Sequence, residues 1–118
     1  MSDEAQIRDV VHRLVHALGT GDAPALVACF HPQAVIIATD GTAVQCMSVT
    51  DYAGALPSTD AAETPPGSPD LTIYDITESV AVVKLIDKFD GRSFVGHLSL
   101  IRLGGLWQIA SVNYQLRS

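Results

Sequence analysis

The chain has 118 residues, 47% of them hydrophobic and 17% charged, and its 7 Lys+Arg against 13 Asp+Glu give a formal charge of −6. That length fits one domain over residues 1–118, able to bury a core with no cofactor, metal or disulfide staple. The acid excess repels phosphate backbones and anionic lipid, which excludes nucleic acid and membrane surfaces as expected partners. Met1-Ser2-Asp3-Glu4 is acidic where a signal peptide is basic, and no apolar run approaches the roughly 18 residues that span a bilayer, so a cytoplasmic location is expected.

Ile7, Val10, Val11, Leu14, Val15 and Leu18 recur at the spacing of one helical stripe, which predicts a helix from Asp3 to Leu18. Asp3 and Glu4 suit its positive end, and Gly19 with Gly21 supplies the stop. Asp22 reads as an N-cap with Pro24 in the first turn, predicting a short helix over Ala23 to Phe30 that His31-Pro32 ends. Val35-Ile36-Ile37 is β-branched and leads into the turn signal Asp40-Gly41, with Thr42 to Cys46 as its partner strand. Ser48 is placed to cap a third helix from Val49 to Leu56. Residues Pro57 to Pro69 hold four of the six prolines and form a surface loop long enough to act as a lid. Beyond it, turn signals at Glu78-Ser79, Asp90-Gly91 and Gly104-Gly105 separate four strand-like runs, an antiparallel meander. Helices followed by such a sheet make an α+β fold with the helices on one sheet face.

Two-residue loops at those turns fix a register and sort the strands by face. One face then carries the rows Ile76, Ala81, Leu100, Ile109; Tyr74, Val83, Leu98, Ser111; Thr72, Leu85, Gly96, Asn113; and Asp70, Asp87, Phe94, Gln115. Trp107 extends its apolar end. The other end is polar and contains the side-chain-free Gly96, so the helices are expected to lift away there and leave a cavity. The opposite face, with Leu71, Ile73, Ile86, Val95, Val112 and Tyr114, is too apolar to face water, which predicts a homodimer through it. Lys84, His97 and Asp75 on that face read as polar contacts of the interface.

The string Gly21-Asp22, then Phe30-His31-Pro32-Gln33-Ala34, then Leu98-x-Leu100 and Gly105-x-Trp107-x-Ile109 resembles the nuclear transport factor 2-like superfamily, and within it small bacterial proteins labelled lumazine-binding. The resemblance spans nearly the whole chain. It implies a cone-shaped barrel: N-terminal helices on the concave face of a strongly bent antiparallel sheet, a pocket between them, and dimers joined through the outer face. The superfamily includes ketosteroid isomerase, scytalone dehydratase and polyketide cyclases beside domains that only bind or dimerise, so fold does not fix function. Four residues depart from its pattern. Leu14 stands where an aromatic, often tyrosine, is common in the first helix, Gly96-His97 replaces a polar Asp-Tyr pair, and Val112 replaces a lysine.

Among ionisable groups Asp87 leads, because the register puts it beside Phe94 and near Tyr74 and Asn113. A carboxylate against an apolar wall has a raised pKa and serves as a general base, while Tyr and Asn donate to a developing oxyanion. A solvated strand end is the plain alternative. The expected pocket lining is Tyr74, Phe94, Asn113 and Ser111, with Leu14 from the first helix and Trp107 from the apolar end; Asp51 and Tyr52 on the third helix are candidates to close the mouth. His12 and His16 share a helical spacing that suits a metal but fall on the polar side with no third ligand, and His31 is placed to order its turn. Cys29 and Cys46 read as buried, reduced thiols. Three functions stay open: a homodimeric domain binding a small hydrophobic or amphipathic ligand, a cofactor-free acid–base enzyme with Asp87 as base, and a structural dimerisation module.

Overall fold

The computed structural model describes residues 2–56, 69–89 and 92–117. Helix α1 runs Asp3–Thr20. Ser2 Oγ accepts from the Ala5 N–H to start it, and Gly21, at φ 67°, ends it in the left-handed region that glycine enters without strain. The predicted stripe is its buried face: Ile7, Val10, Val11, Leu14 and Val15 all lie in the core, each stabilising by about 1.5–3 kcal/mol on burial. Glu4–Arg8 and Asp9–Arg13 pair along the solvent side.

Helix α2 covers only Ala23–Ala28, capped by Asp22 on the Ala25 N–H. It stops short of the expected Phe30 because Phe30 already pairs with Ile109 as the first residue of β1, Phe30–Thr39. Pro32 is tolerated inside that strand because the ladder skips from Phe30 to Val35, leaving its missing N–H unneeded. His31 Nδ1 accepts from the Gln33 N–H in the same skip. β2 is Val44–Ser48, later than expected, because Asp40-Gly41 opens a longer loop closed by the pair Thr39 and Val44. Asp40 Oδ1 organises that loop by accepting from the backbone N–H groups of Thr42 and Ala43 and from the Thr42 hydroxyl. Those donors hold its carboxyl down at about 2. Ser48 caps α3, Val49–Gly54, as expected.

Strands β3 (Asp70–Thr77), β4 (Val80–Phe89), β5 (Arg92–Leu103) and β6 (Leu106–Arg117) form the predicted meander. Two-residue turns at Glu78-Ser79 and Gly104-Gly105 connect them as expected, both glycines having positive φ. The Asp90-Gly91 turn and positions 57–68 of the expected lid lie outside the described residues. The six strands take the order β2-β1-β6-β5-β4-β3, with β1 parallel to β6. The fold is the α+β, cone-like arrangement that the resemblance implied, with two differences: β1 runs parallel to β6, so the sheet is mixed, and among the described residues it is not closed. Helix α1 packs against β6 and β3, and α3 against β1 and β2, which leaves one face covered.

Register is where structure and expectation part. From β4 to β5 it is as predicted, pairing Asp87 with Phe94, Leu85 with Gly96 and Lys84 with His97. A β-bulge in β3 leaves Tyr74 without a partner between the pairs Ile73–Val83 and Asp75–Val82, and a second in β6 does the same to Ala110 between Ile109 and Ser111. Because side chains alternate with period two, one extra residue exchanges the faces of everything beyond it. Leu71, Ile73, Val112 and Tyr114 therefore turn to the helix-covered face, and Thr72, Ser111, Asn113 and Gln115 turn away.

Candidate functional site

The helix-covered face has two unlike ends. At the first, Trp107 is buried and its indole N–H donates to Asp3 Oδ1 at 3.0 Å. Arg102 Nη1 donates to the same carboxylate at 3.1 and 3.2 Å and its guanidinium carbon lies 5.8 Å from the centroid of the indole ring. The indole hydrogen bond above all holds the Asp3 carboxyl below the usual range against desolvation, with the charge and hydrogen bond of Arg102 adding to it. Trp107 thus has its polar atom committed to a pin between α1 and the β5–β6 hairpin. Leu14 is fully enclosed in the core, as are Val83, Leu98, Ile109 and Ile36.

At the other end the composition changes. Two rows cross the sheet there: Leu71, Leu85, Gly96, Tyr114, Ala38 and Gln45, then Asp87, Phe94 and Leu116. The Phe94 ring lies over Gly96, so that a Cβ built on the glycine would meet Phe94 Cε1 at 2.7 Å. The space expected to be a cavity above Gly96 is filled by this ring. Phe94 stacks on Tyr114 at 4.8 Å and 20°; Tyr114 meets Tyr52 of α3 at 6.1 Å, and Tyr52 meets Phe30 edge-on at 6.5 Å. A continuous aromatic ladder therefore runs from the start of β1, through α3, to β5.

Asp87 stands across from Phe94 at the end of that ladder, 8% exposed, the buried charged residue of the described chain. Burial raises the pKa of both phenols, Tyr52 strongly, with the neighbouring Tyr114 adding to it. Beside Tyr114, where the β1–β2 hairpin and the end of β6 diverge, lies a groove of about 350 Å³ lined by Ala38, Thr39, Asp40, Ala43, Val44, Gln45, Tyr114 and Leu116. Ala38, Ala43, Val44 and Leu116 give it apolar lining, Tyr114 an aromatic one, and Thr39, Asp40 and Gln45 polar groups.

Of the predicted site residues the structure brings together Asp87 and Phe94. Tyr74 is 57% exposed at its bulge, and Asn113 and Ser111 pair with His97 and Ser99 on the uncovered face. The expected register puts Tyr114 on the outer face, whereas the bulge in β6 turns it to the covered one, and Tyr52 reaches it from α3. The uncovered face is correspondingly more polar than expected: one row reads Thr72, Lys84, His97, Asn113, Ile37 and Cys46. Cys46 is exposed there, contrary to expectation, while Cys29 is buried with its thiol donating to the Ala25 carbonyl and its pKa pushed up by desolvation. His12 and His16 are exposed, and among the described residues no three His, Cys, Asp or Glu side chains converge as a metal site. No helix among them is long and apolar enough to cross a membrane.

A family described as "Putative lumazine-binding" matches residues 2–115. No curated protein matches. Among solved structures, an NTF2-like protein of unknown function from Silicibacter pomeroyi superposes with TM-score 0.83 at 23% identity over 99% of this chain and 100% of its own. A second, from Shewanella baltica, gives 0.80 at 18% identity over 98% and 94%. A ketosteroid isomerase-like protein from Erwinia carotovora atroseptica gives 0.70 at 17% identity over 100% and 99%. At these identities the likeness is one of fold.

Proposed function

The chain belongs to the Putative lumazine-binding family in an NTF2-like fold, and from that membership and the geometry of its aromatic end we propose that it is a small-molecule-binding domain taking a hydrophobic or amphipathic ligand. One observation carries the reading: a member of the ladder Phe30–Tyr52–Tyr114–Phe94, Tyr114, also lines an open groove of about 350 Å³. That volume lies near the lower bound of small-molecule sites, roughly 300 Å³, and suits a molecule of one or two rings. An NMR titration with a panel of planar one- and two-ring compounds tests it. Amide shifts should centre on Ala38, Gly96 and Tyr114 and vanish in Tyr114→Ala; shifts mapping elsewhere, or none across the panel, refute the site.

Asp87 favours a second reading, acid–base catalysis on such a ligand, because a buried carboxylate against a phenyl ring is the environment of a general base. Under it Asp87→Asn abolishes turnover and spares binding.

A second copy of the chain on the uncovered sheet face is part of the same reading. Val82, Ile86, Val95 and Ile101 remain only half-buried there, interleaved with Lys84, His97 and Asn113, a mixture suited to a specific interface with a polar component. Sedimentation should give a dimer at micromolar concentration, and a monomer there would remove this element while leaving the binding site untouched.

A further inference from the structure

Resting on the binding reading above, we propose the class of ligand: a small organic cation, a protonated amine or quaternary ammonium on an apolar body of one or two rings, with Asp40 as its counter-charge. The groove supplies both halves of that environment. Ala38, Ala43, Val44, Leu116 and the Tyr114 ring receive the body, and Asp40 brings a carboxylate to the same lining, in which no lysine, arginine or histidine stands among the described residues. An anion would therefore meet like charge there with no cation beside it to offset the repulsion.

The loop holds Asp40 in place. The Thr42 N–H and hydroxyl donate to its Oδ1 at 2.8 Å each and the Ala43 N–H at 2.9 Å. Thr39 Oγ1 ties the same loop, accepting from the Gly41 N–H and donating to the Ala43 carbonyl. None of these bonds reaches Oδ2. The Ala43 and Thr42 amides and the Thr42 hydroxyl keep the carboxyl down at about 2, so it is fully ionised at neutral pH. Asp3, Glu4 and Asp9 each pair with an arginine, whereas Asp40 has no such partner among the described residues. A charge oriented in advance beside an apolar groove saves a ligand the ordering cost of assembling its own site.

The probes are 2-aminoindane, 2-indanol and indane-2-carboxylate, one two-ring body bearing in turn a cation, a neutral hydroxyl and an anion, titrated by NMR at neutral pH into the wild-type protein and Asp40→Asn. 2-Aminoindane should bind about threefold to fivefold tighter than 2-indanol, the scale of one exposed ion pair, and the carboxylate weakest, with amide shifts centred on Ala38, Gln45 and Tyr114. Raising salt from about 0.05 M to about 0.5 M should shrink the amine's advantage in the wild type, a readout that needs no variant. Asparagine keeps the Oδ1 acceptor that Thr42 and Ala43 use, so Asp40→Asn removes the charge with the loop still closed, and the amine's advantage over 2-indanol should disappear. Equal binding of amine and alcohol to the wild type would overturn the charge inference while sparing the binding reading. An advantage that persists in Asp40→Asn would overturn it too, assigning the preference to the chain's overall charge of −6. Failure of all three probes to shift the groove amides would overturn both readings.

Discussion

Gly96→Ala is the substitution through which the aromatic end is best tested. The added Cβ would stand 2.7 Å from Phe94 Cε1, 3.1 Å from Phe94 Cζ and 3.5 Å from Tyr114 Cβ. A ring edge is a yielding neighbour when it is free to swing, but Phe94 is 3% exposed and stacked on Tyr114 at 4.8 Å. Moving it forfeits stacking of about 0.5–1.5 kcal/mol within an overpacking cost of about 1–3 kcal/mol. Gly96 has no positive φ, so alanine fits the backbone and returns about 0.4–1 kcal/mol by restricting the unfolded chain. The net expectation is a loss of about 1–2 kcal/mol, or roughly 4–8 °C in Tm. Urea and thermal unfolding measure it, and a double-mutant cycle assigns it: in a Phe94→Leu background the same Gly96→Ala change should cost nothing or stabilise. An equal loss in both backgrounds would refute the account, because the strain would then lie in the strand and not under the ring.

Two further predictions concern other parts of the chain. The Asp3 and Asp40 carboxyls are both depressed, Asp3 by the Trp107 indole and Arg102 and Asp40, to about 2, by the turn amides; a depressed acid stabilises above its unfolded pKa, near 3.8, and that contribution is lost as pH falls through the folded value. Tm measured from pH 5 to pH 2 should therefore fall more steeply in the wild type than in Asp3→Asn or Asp40→Asn, the curves converging at the acid end; parallel curves contradict the assignment. A thiol reagent such as dithionitrobenzoate should modify one cysteine at once, absent from Cys46→Ser, and a second only on unfolding, since Cys46 is exposed and Cys29 is buried with a raised pKa; rapid reaction of both would place Cys29 outside the core.

The helices and their caps were legible because their signals are local. Asp22 and Ser48 each bond an N–H three residues on, and the stripe Ile7 to Leu14 needs no knowledge of its partner. The two hairpins closed by Glu78-Ser79 and Gly104-Gly105 were likewise set by their turn residues. What adjacent residues could not announce was the end of α2. Phe30 is a sound helix residue by neighbourhood and becomes a strand residue because Ile109, far along the chain, pairs with it. The parallel placement of β1 against β6 is a contact of the same long-range kind.

The site residues differ from expectation for a narrower reason: β3 and β6 each contain an extra residue that breaks the alternation. The phase slip is written in both. In β3 the inward apolar positions run Leu71, Ile73, then Ile76, and in β6 they run Trp107, Ile109, then Val112 and Tyr114. A step of three inside a period of two marks a bulge. Reading those steps would have exchanged Asn113 for Tyr114 and Thr72 for Ile73 on the covered face and removed most of the apolar surplus from the other. Asp87 and Phe94 survived because β4 and β5 pair without interruption over that stretch. The bulges thus do more than bend the sheet. By placing one unpaired residue before Ser111, the chain delivers the Tyr114 phenol, in place of the Asn113 amide, to the row that Gly96 and Ala38 keep shallow, and with it the partner that Tyr52 meets.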